Sequence, residues 1–215
     1  MFPAAACFHL HRRITDDDSA FASWTQLMSL LPGTTGVWLR RAFFVAAARH
    51  CGSNVCVSFG TVFSSRNVSL GDHTYIGHFC SLGDVAIESD VLIASHVSIM
   101  NGLHQHGTER FDIPVREQPG RYEPITIGQD SWIGEHATVA ATVGKHCVIG
   151  AGALVLKPIP DFAIAVGVPA RIVGDRRESG AISLQSPMES AVGETANRDV
   201  ATADAHTSPA VSQGV

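Results

Sequence analysis

The chain has 215 residues, 45% of them hydrophobic, and carries a net charge of −5. That length and apolar share suit one sizeable domain with tails, and an acidic balance without any long basic run argues against a nucleic-acid partner. Cys7, Cys51, Cys56, Cys80 and Cys147 form neither CxxC pairs nor zinc-finger spacing, and their odd number fits a reducing compartment better than a disulfide framework.

Residues 1–19 read as a flexible N-terminus. In MFPAAACFHLHRR the charges follow a short apolar run, the reverse of a signal peptide, and the acidic run DDDS is suited to capping a helix. No apolar stretch reaches the ~18–20 residues of a spanning helix, and the chain reads as cytoplasmic. Residues 20–49 read as a helical cap: FASWTQLMSLL, a break at PGTTG, then VWLRRAFFVAAARH. Two readings of Trp38, Phe43 and Phe44 stand. They cover one end of the main domain, as short amphipathic caps do on repeat folds. Or 36–49 is an interfacial anchor that sets Arg40, Arg41 and Arg49 near lipid phosphates at the inner face of a membrane.

From residue 51 an aliphatic residue recurs at steps of six, in triplets: Cys51, Val57, Phe63; Leu70, Ile76, Leu82; Ile87, Ile93, Ile99; Ile127, Ile133, Val139; Val143, Ile149, Val155. In twelve of these fifteen cases Gly, Ala or Ser follows. One buried aliphatic per six residues means short strands separated by tight bends, and three hexads make one triangular turn of a parallel β-helix. The aliphatic points inward, and the small residue is expected to let the chain turn. No helical stretch long enough for an α/β fold follows residue 50.

Between triplets the spacing slips: seven from Phe63 to Leu70, five from Leu82 to Ile87, four from Val139 to Val143. One interruption is large, because 27 residues separate Ile99 from Ile127. Residues 100–124 must leave the prism as a projecting loop, and long loops on compact domains are usually functional or disordered. This one, MNGLHQHGTERFDIPVREQPGRYEP, carries His104 and His106. The expected β-helix spans 50–174, and residues 175–215, rich in Ser, Ala, Thr and Gly with little aliphatic periodicity, read as a disordered tail.

WIGEHATV, VGKHCVIGAGALVLKPIP and AVGVPARIV resemble the end of hexapeptide-repeat acyltransferases, and with the hexads the resemblance covers roughly residues 50–174. It implies a left-handed parallel β-helix, an exception to the usual right-handed crossover, and a homotrimer with its sites in clefts between subunits. LPGTTGVWLRRAFF and HQHGTERFDIPVREQPG resemble the O-acetyltransferases of bacterial surface-polysaccharide pathways. The implied function is transfer of acetyl from acetyl-CoA to a hydroxyl of a sugar or polysaccharide precursor.

In galactoside and maltose acetyltransferases the catalytic histidine follows an LIA segment by ten residues; here LIA is 92–94 and His104 stands at that offset. Lys157 and Arg171 match positions near coenzyme A. Two departures matter: no Asn stands in TYIGHFC, where those enzymes hold the acceptor, and Glu135 replaces a serine three residues after the coil tryptophan, so their acceptor details do not carry over. Acetyl transfer needs a base for the hydroxyl proton and a donor for the developing oxyanion, but no covalent intermediate and so no nucleophilic Cys or Ser. His104, at a loop root and of the residue type most often used as a general base, fits that role. His106 either orients the acceptor or is a solvated histidine, and Glu135 either pairs with a histidine or sugar hydroxyl or is an exposed turn carboxylate. Trp132, preceding an inward Ile, points off the prism, where it either lines the donor cleft, as the family position implies, or packs in the trimer. The pantetheine arm is expected to bond backbone amides beside small residues such as Gly150 and Gly152, and Lys157 and Arg171 either meet the phosphates as point charge and fork or are solvated surface cations.

Other classes compete. A zinc carbonic anhydrase on this fold would need a GHxxxxH pattern; Gly77 and His78 are followed at the fifth place by Gly83, so no metal is expected. A streptogramin- or chloramphenicol-type acetyltransferase is the runner-up, on the strength of SIMNGLH, although its excursion between histidine and coil tryptophan is usually longer than the 28-residue step here. A non-catalytic β-helix would explain the hexads but not the histidine loop.

Overall fold

The computed structural model describes residues 3–178; of the tail expected from 175 onwards, 179–215 lie outside the described residues. Three helices precede the repeats: α1 (Pro3–His11), α2 (Asp17–Ser29) and α3 (Gly33–Ala47). Asp16 caps α2, its carboxylate accepting the Ser19 N–H at 2.8 Å. Residues 3–11, expected to be loose, form α1 instead because Phe8 is fully buried, edge-on to Phe21 and Phe43. Phe43 and Phe44 are buried too, and Phe44 meets Phe63 of the first coil at 4.8 Å between centroids. These two rings cap the end of the prism. Trp38 does not; it is 69% exposed.

Arg40 joins cap to coil. It is 1% exposed, and its guanidinium donates to the carbonyls of Val57 at 2.7 Å, Leu31 at 2.6 Å and Met28 at 3.1 Å. Met28 lies in the last turn of α2 and Leu31 just beyond its C-terminal cap, where carbonyls lack the regular i→i+4 partners of the helix interior. Gly36 is required beside them, since a Cβ there would stand 2.0 Å from the Leu31 oxygen.

From residue 50 the chain winds a parallel β-helix with three faces. The first stacks His50–Cys51, Ser69–Leu70, Val85–Ile87 and Ile125–Ile127, extended by bridges to Val143 and Ile159. The second stacks Cys56–Val57, Tyr75–Ile76, Leu92–Ile93, Trp132–Ile133, Val148–Ile149 and Ala163–Val166, and the antiparallel strand Arg171–Asp175 closes its edge. The third stacks Val62–Phe63, Ser81–Leu82, Ser98–Ile99, Thr138–Val139 and Leu154–Val155. Every triplet position is buried except Cys51, half-buried on the first coil. A sixth coil that the aliphatic spacing did not reveal begins at Ile159 and puts Ala165 inward. No helix among the described residues is long and apolar enough to cross a membrane.

Two corners are regular. Three residues after the inward aliphatic comes a left-handed backbone: Asn54, His73, Asp90, Asp130, His146 and Phe162 at the first corner, and Gly60, Phe79, His96, His136 and Gly152 at the second, with φ between 54° and 78°. That conformation costs a non-glycine roughly 1–2 kcal/mol, least for Asn, Asp and His. It makes the bend, so the small residue after each aliphatic has a different task from the one expected. A Cβ on Gly77 would come within 2.6 Å of the Ala94 carbonyl carbon, so that glycine makes room for the neighbouring coil. The third corner, from the third face back to the first, has no such repeat. All the slips in spacing lie there, and so does the 100–124 loop.

Candidate active site

The loop is held by its own polar groups. Gln118, buried at 6% exposure, donates to the carbonyls of Arg110 at 2.7 Å and Ile113 at 3.3 Å and accepts the Arg110 N–H at 3.0 Å. Its two limbs pair where they leave the prism: Arg121 N–H donates to the His104 carbonyl at 2.6 Å and Glu123 N–H to the Asn101 carbonyl at 2.9 Å. The backbone of His104 is thereby fixed while its imidazole stays exposed. It lines a hollow of about 240 Å³ with Glu123, Ala140, Ala141, Leu156 and Pro158.

Two polar hollows adjoin it along the same corner. One, of about 400 Å³, is lined by Arg49, Asn67, Ser69, Asp84, Ala86 and Pro124, and Pro124 also lines the hollow of His104. The next, of about 390 Å³, shares Asn67 and Asp84 and adds Asp18, Ser65, Asn101 and Tyr122. Asp18 is presented by α2 and tied to the first coil, its carboxylate accepting the Arg66 N–H at 2.6 Å. The Asn67 amide donates to Asp84 at 3.3 Å. None of these polar residues is marked by the sequence as part of a site; there Arg49 reads as a lipid contact and Asp18 as part of a helix cap. The signal that could have found them is position, since Ser65, Asn67, Asp84, Asn101 and Tyr122 all stand where the six-step slips or breaks.

Lys157 and Arg171 come together across a small hollow of about 120 Å³ with Pro169 and Ala170, and Leu156 connects it to that of His104. The remaining candidates lie elsewhere. His106 is exposed on the loop and does not line the hollow of His104. Trp132, 52% exposed, stands on the second face. Glu135, Gly150 and Gly152 lie at or beside the second corner. Within one chain, therefore, the expected site residues fall on two different edges of the prism.

The four cysteines of the β-helix offer no activated nucleophile. Burial pushes the thiols of Cys51, Cys56, Cys80 and Cys147 upward, the opposite of what a reactive thiolate needs. A larger hollow, about 740 Å³, lies on the helical cap between His9, Arg13 and Asp17, and none of the expected site residues lines it. The chemistry available at the irregular corner is a solvent-open imidazole between a wall of small apolar groups and a hydroxyl- and carboxylate-lined pocket.

Residues 124–157 match the family model described as the hexapeptide repeat of succinyl-transferase. A Staphylococcus aureus (strain MRSA252) protein named as a putative acetyltransferase is 33% identical over 153 residues, 67% of this chain and 69% of its own. An Escherichia coli K12 protein named for lipopolysaccharide biosynthesis O-acetyl transfer is 34% identical over 123 residues, 53% of this chain and 60% of its own. The crystal structure of a maltose O-acetyltransferase from Clostridium difficile 630 superimposes with a TM-score of 0.64 at 19% identity, covering 75% of this chain and 89% of that one, which is a likeness of fold. The chain spans less than two thirds of several curated relatives it matches, 39% of one and 61% of another.

Proposed function

Because the chain belongs to the hexapeptide-repeat acyltransferase family, we propose that it is an acetyltransferase that moves an acetyl group from acetyl-CoA to a sugar hydroxyl in surface-polysaccharide biosynthesis. The observation that carries this reading is the continuity of three hollows along one corner, with His104 between the apolar wall and the polar pocket. Acetyl-CoA supplies the activated thioester. His104 takes the proton from the acceptor hydroxyl as its oxygen attacks the acetyl carbon; the C–O bond forms, the C–S bond breaks, and the imidazolium returns the proton to the departing sulfur. Asp18, Asn67, Asp84 and Asn101 supply the acceptors and donors that a sugar's hydroxyls need, with Tyr122 as an aromatic wall. Lys157 and Arg171 fit the phosphates of the donor, and Ala140, Ala141, Leu156 and Pro158 its pantetheine arm.

The assembly we infer is a homotrimer. Outward residues in register on the second face, Tyr75, Leu92, Trp132, Val148 and Ile164, form an apolar ladder that neither of the other faces has. Packing that ladder against a second copy sets the Trp132, Gly150 and Gly152 edge of one subunit opposite the His104 corner of the next. Peripheral contact of 36–49 with the inner face of a membrane is part of the same reading, favoured by the exposure of Trp38 and Val45 two turns apart on α3.

The test is thiol release from acetyl-CoA with a panel of sugars and nucleotide sugars. His104→Ala should fold normally and lose roughly 10²–10⁴ in turnover, with coenzyme A affinity unchanged; His106→Ala should keep its turnover. An active His104→Ala variant would overturn the assignment.

A further inference from the structure

The second corner carries a ladder of rings that the acetyl-transfer reading does not use. Phe79, His96 and His136 occupy equivalent left-handed positions on successive coils. The Phe79 and His96 rings are 5.4 Å apart at 18°, and the His96 and His136 rings 4.7 Å apart at 8°. The coils hold these positions rigidly: His96 N–H donates to the His78 carbonyl at 2.8 Å and His136 N–H to that of Ser95 at 3.1 Å. Glu135 stands beside them. One ligand atom from each of His96, Glu135 and His136 lies within 4.8 Å of the other two, and all three side chains are exposed.

We propose that this corner binds one divalent transition-metal ion of the zinc class through His96, Glu135 and His136. Two imidazole nitrogens and a carboxylate oxygen form a donor set suited to Zn²⁺, with a fourth position left for water or an anionic ligand. Neighbouring coils repeat at about 4.8 Å, whereas two metal–nitrogen bonds of roughly 2.0–2.1 Å span at most about 4.2 Å. The stacked rings must therefore turn towards each other, a rotation about a soft terminal torsion that exposed side chains can make.

The first corner provides the contrast. There the equivalent histidines are engaged, His73 by Asp90 at 3.2 Å and His146 by Asp130 at 2.9 Å. Among the described residues no hydrogen bond or ion pair engages the side chains of His96, Glu135 or His136, so their ligand atoms are available. The spacing that argued against a metal considers ligands on one coil. This set spans two, His96 and His136 standing 40 residues apart with the loop between them.

The experiment is calorimetric titration of the full, tag-free chain with Zn²⁺, and with Co²⁺ read by visible absorption. One equivalent per chain is expected, with the Co²⁺ bands of a site containing nitrogen ligands. His96→Ala, His136→Ala and Glu135→Gln should each weaken binding at least tenfold while melting as the parent does, and His73→Ala should leave it unchanged. Saturable binding that survives all three substitutions, equal weakening by His73→Ala, or no saturation at millimolar metal would each overturn the proposal. The readout is binding, so its failure would leave the acetyl-transfer reading untouched.

Discussion

Replacing Arg40 by methionine tests how the helical cap is fastened to the prism. The guanidinium makes three hydrogen bonds to carbonyls, at 2.7, 2.6 and 3.1 Å; among the described residues no carboxylate balances its charge and its Nη2 has no partner. Burial accordingly pushes its pKa below the ordinary arginine value. Bonds from a charged donor contribute roughly 1.5–3 kcal/mol each after exchange with water, or about 5–9 kcal/mol for three before the burial of the unbalanced charge is counted. Desolvating the cation costs several kcal/mol, which leaves a net loss of about 2–4 kcal/mol for Arg40→Met, whose thioether fills the space but leaves the Val57 and Leu31 carbonyls facing apolar atoms while Met28 keeps the Leu31 N–H. At roughly 2–4 °C per kcal/mol for a domain of this size, Tm should fall by about 5–15 °C. Arg40→Lys, which keeps the charge but cannot fork, should lie between. Thermal melts by circular dichroism decide it. A methionine variant as stable as the parent would mean that desolvation outweighs the three bonds, and that the aromatic cluster around Phe43 alone holds the cap.

Ile133→Ala should cost about 2–4 kcal/mol through a cavity in the fourth coil, read as a lower urea midpoint; a loss well under 1 kcal/mol would contradict the inward register. Arg171→Ala and Lys157→Ala should raise the KM for acetyl-CoA with kcat less affected, and an unchanged KM in both would remove these cations from the donor site. Arg177 holds Asp175 at about 2, a hydrogen bond from Ser53 lowers Asp72, and one from His146 lowers Asp130, all from an ordinary 3.8. The unfolded chain then binds more protons, so this stabilisation is complete above 3.8 and disappears as pH falls from 3.8 towards 2. Urea melts stepped down through that window should show falling stability, and a rise on acidification would refute the sign.

The prism was legible in the sequence because its core takes one side chain per six residues, and a period of six with a single aliphatic has few other ways to bury itself. Ile76, Ile93, Ile133 and Ile149 could be placed inward from spacing alone. The sixth coil could not, since Ala165 is too small to mark a beat, and α1 could not, since Phe8 has reason to order a helix only once Phe21 and Phe43 are packed beside it. The place of the loop was equally plain, because an insertion in a counted repeat is visible as a number. What the sequence does not contain is which distant positions become neighbours. Asp18, Asn67, Asp84 and Tyr122 come from separate coils, the cap and the loop, and only stacking sets them around one pocket. His96 and His136 meet because 100–124 is looped out and the two coils then stack in register. Register along the chain is written in local spacing, whereas proximity across the coils is made by the parallel ladder, which brings together residues that the linear order keeps apart.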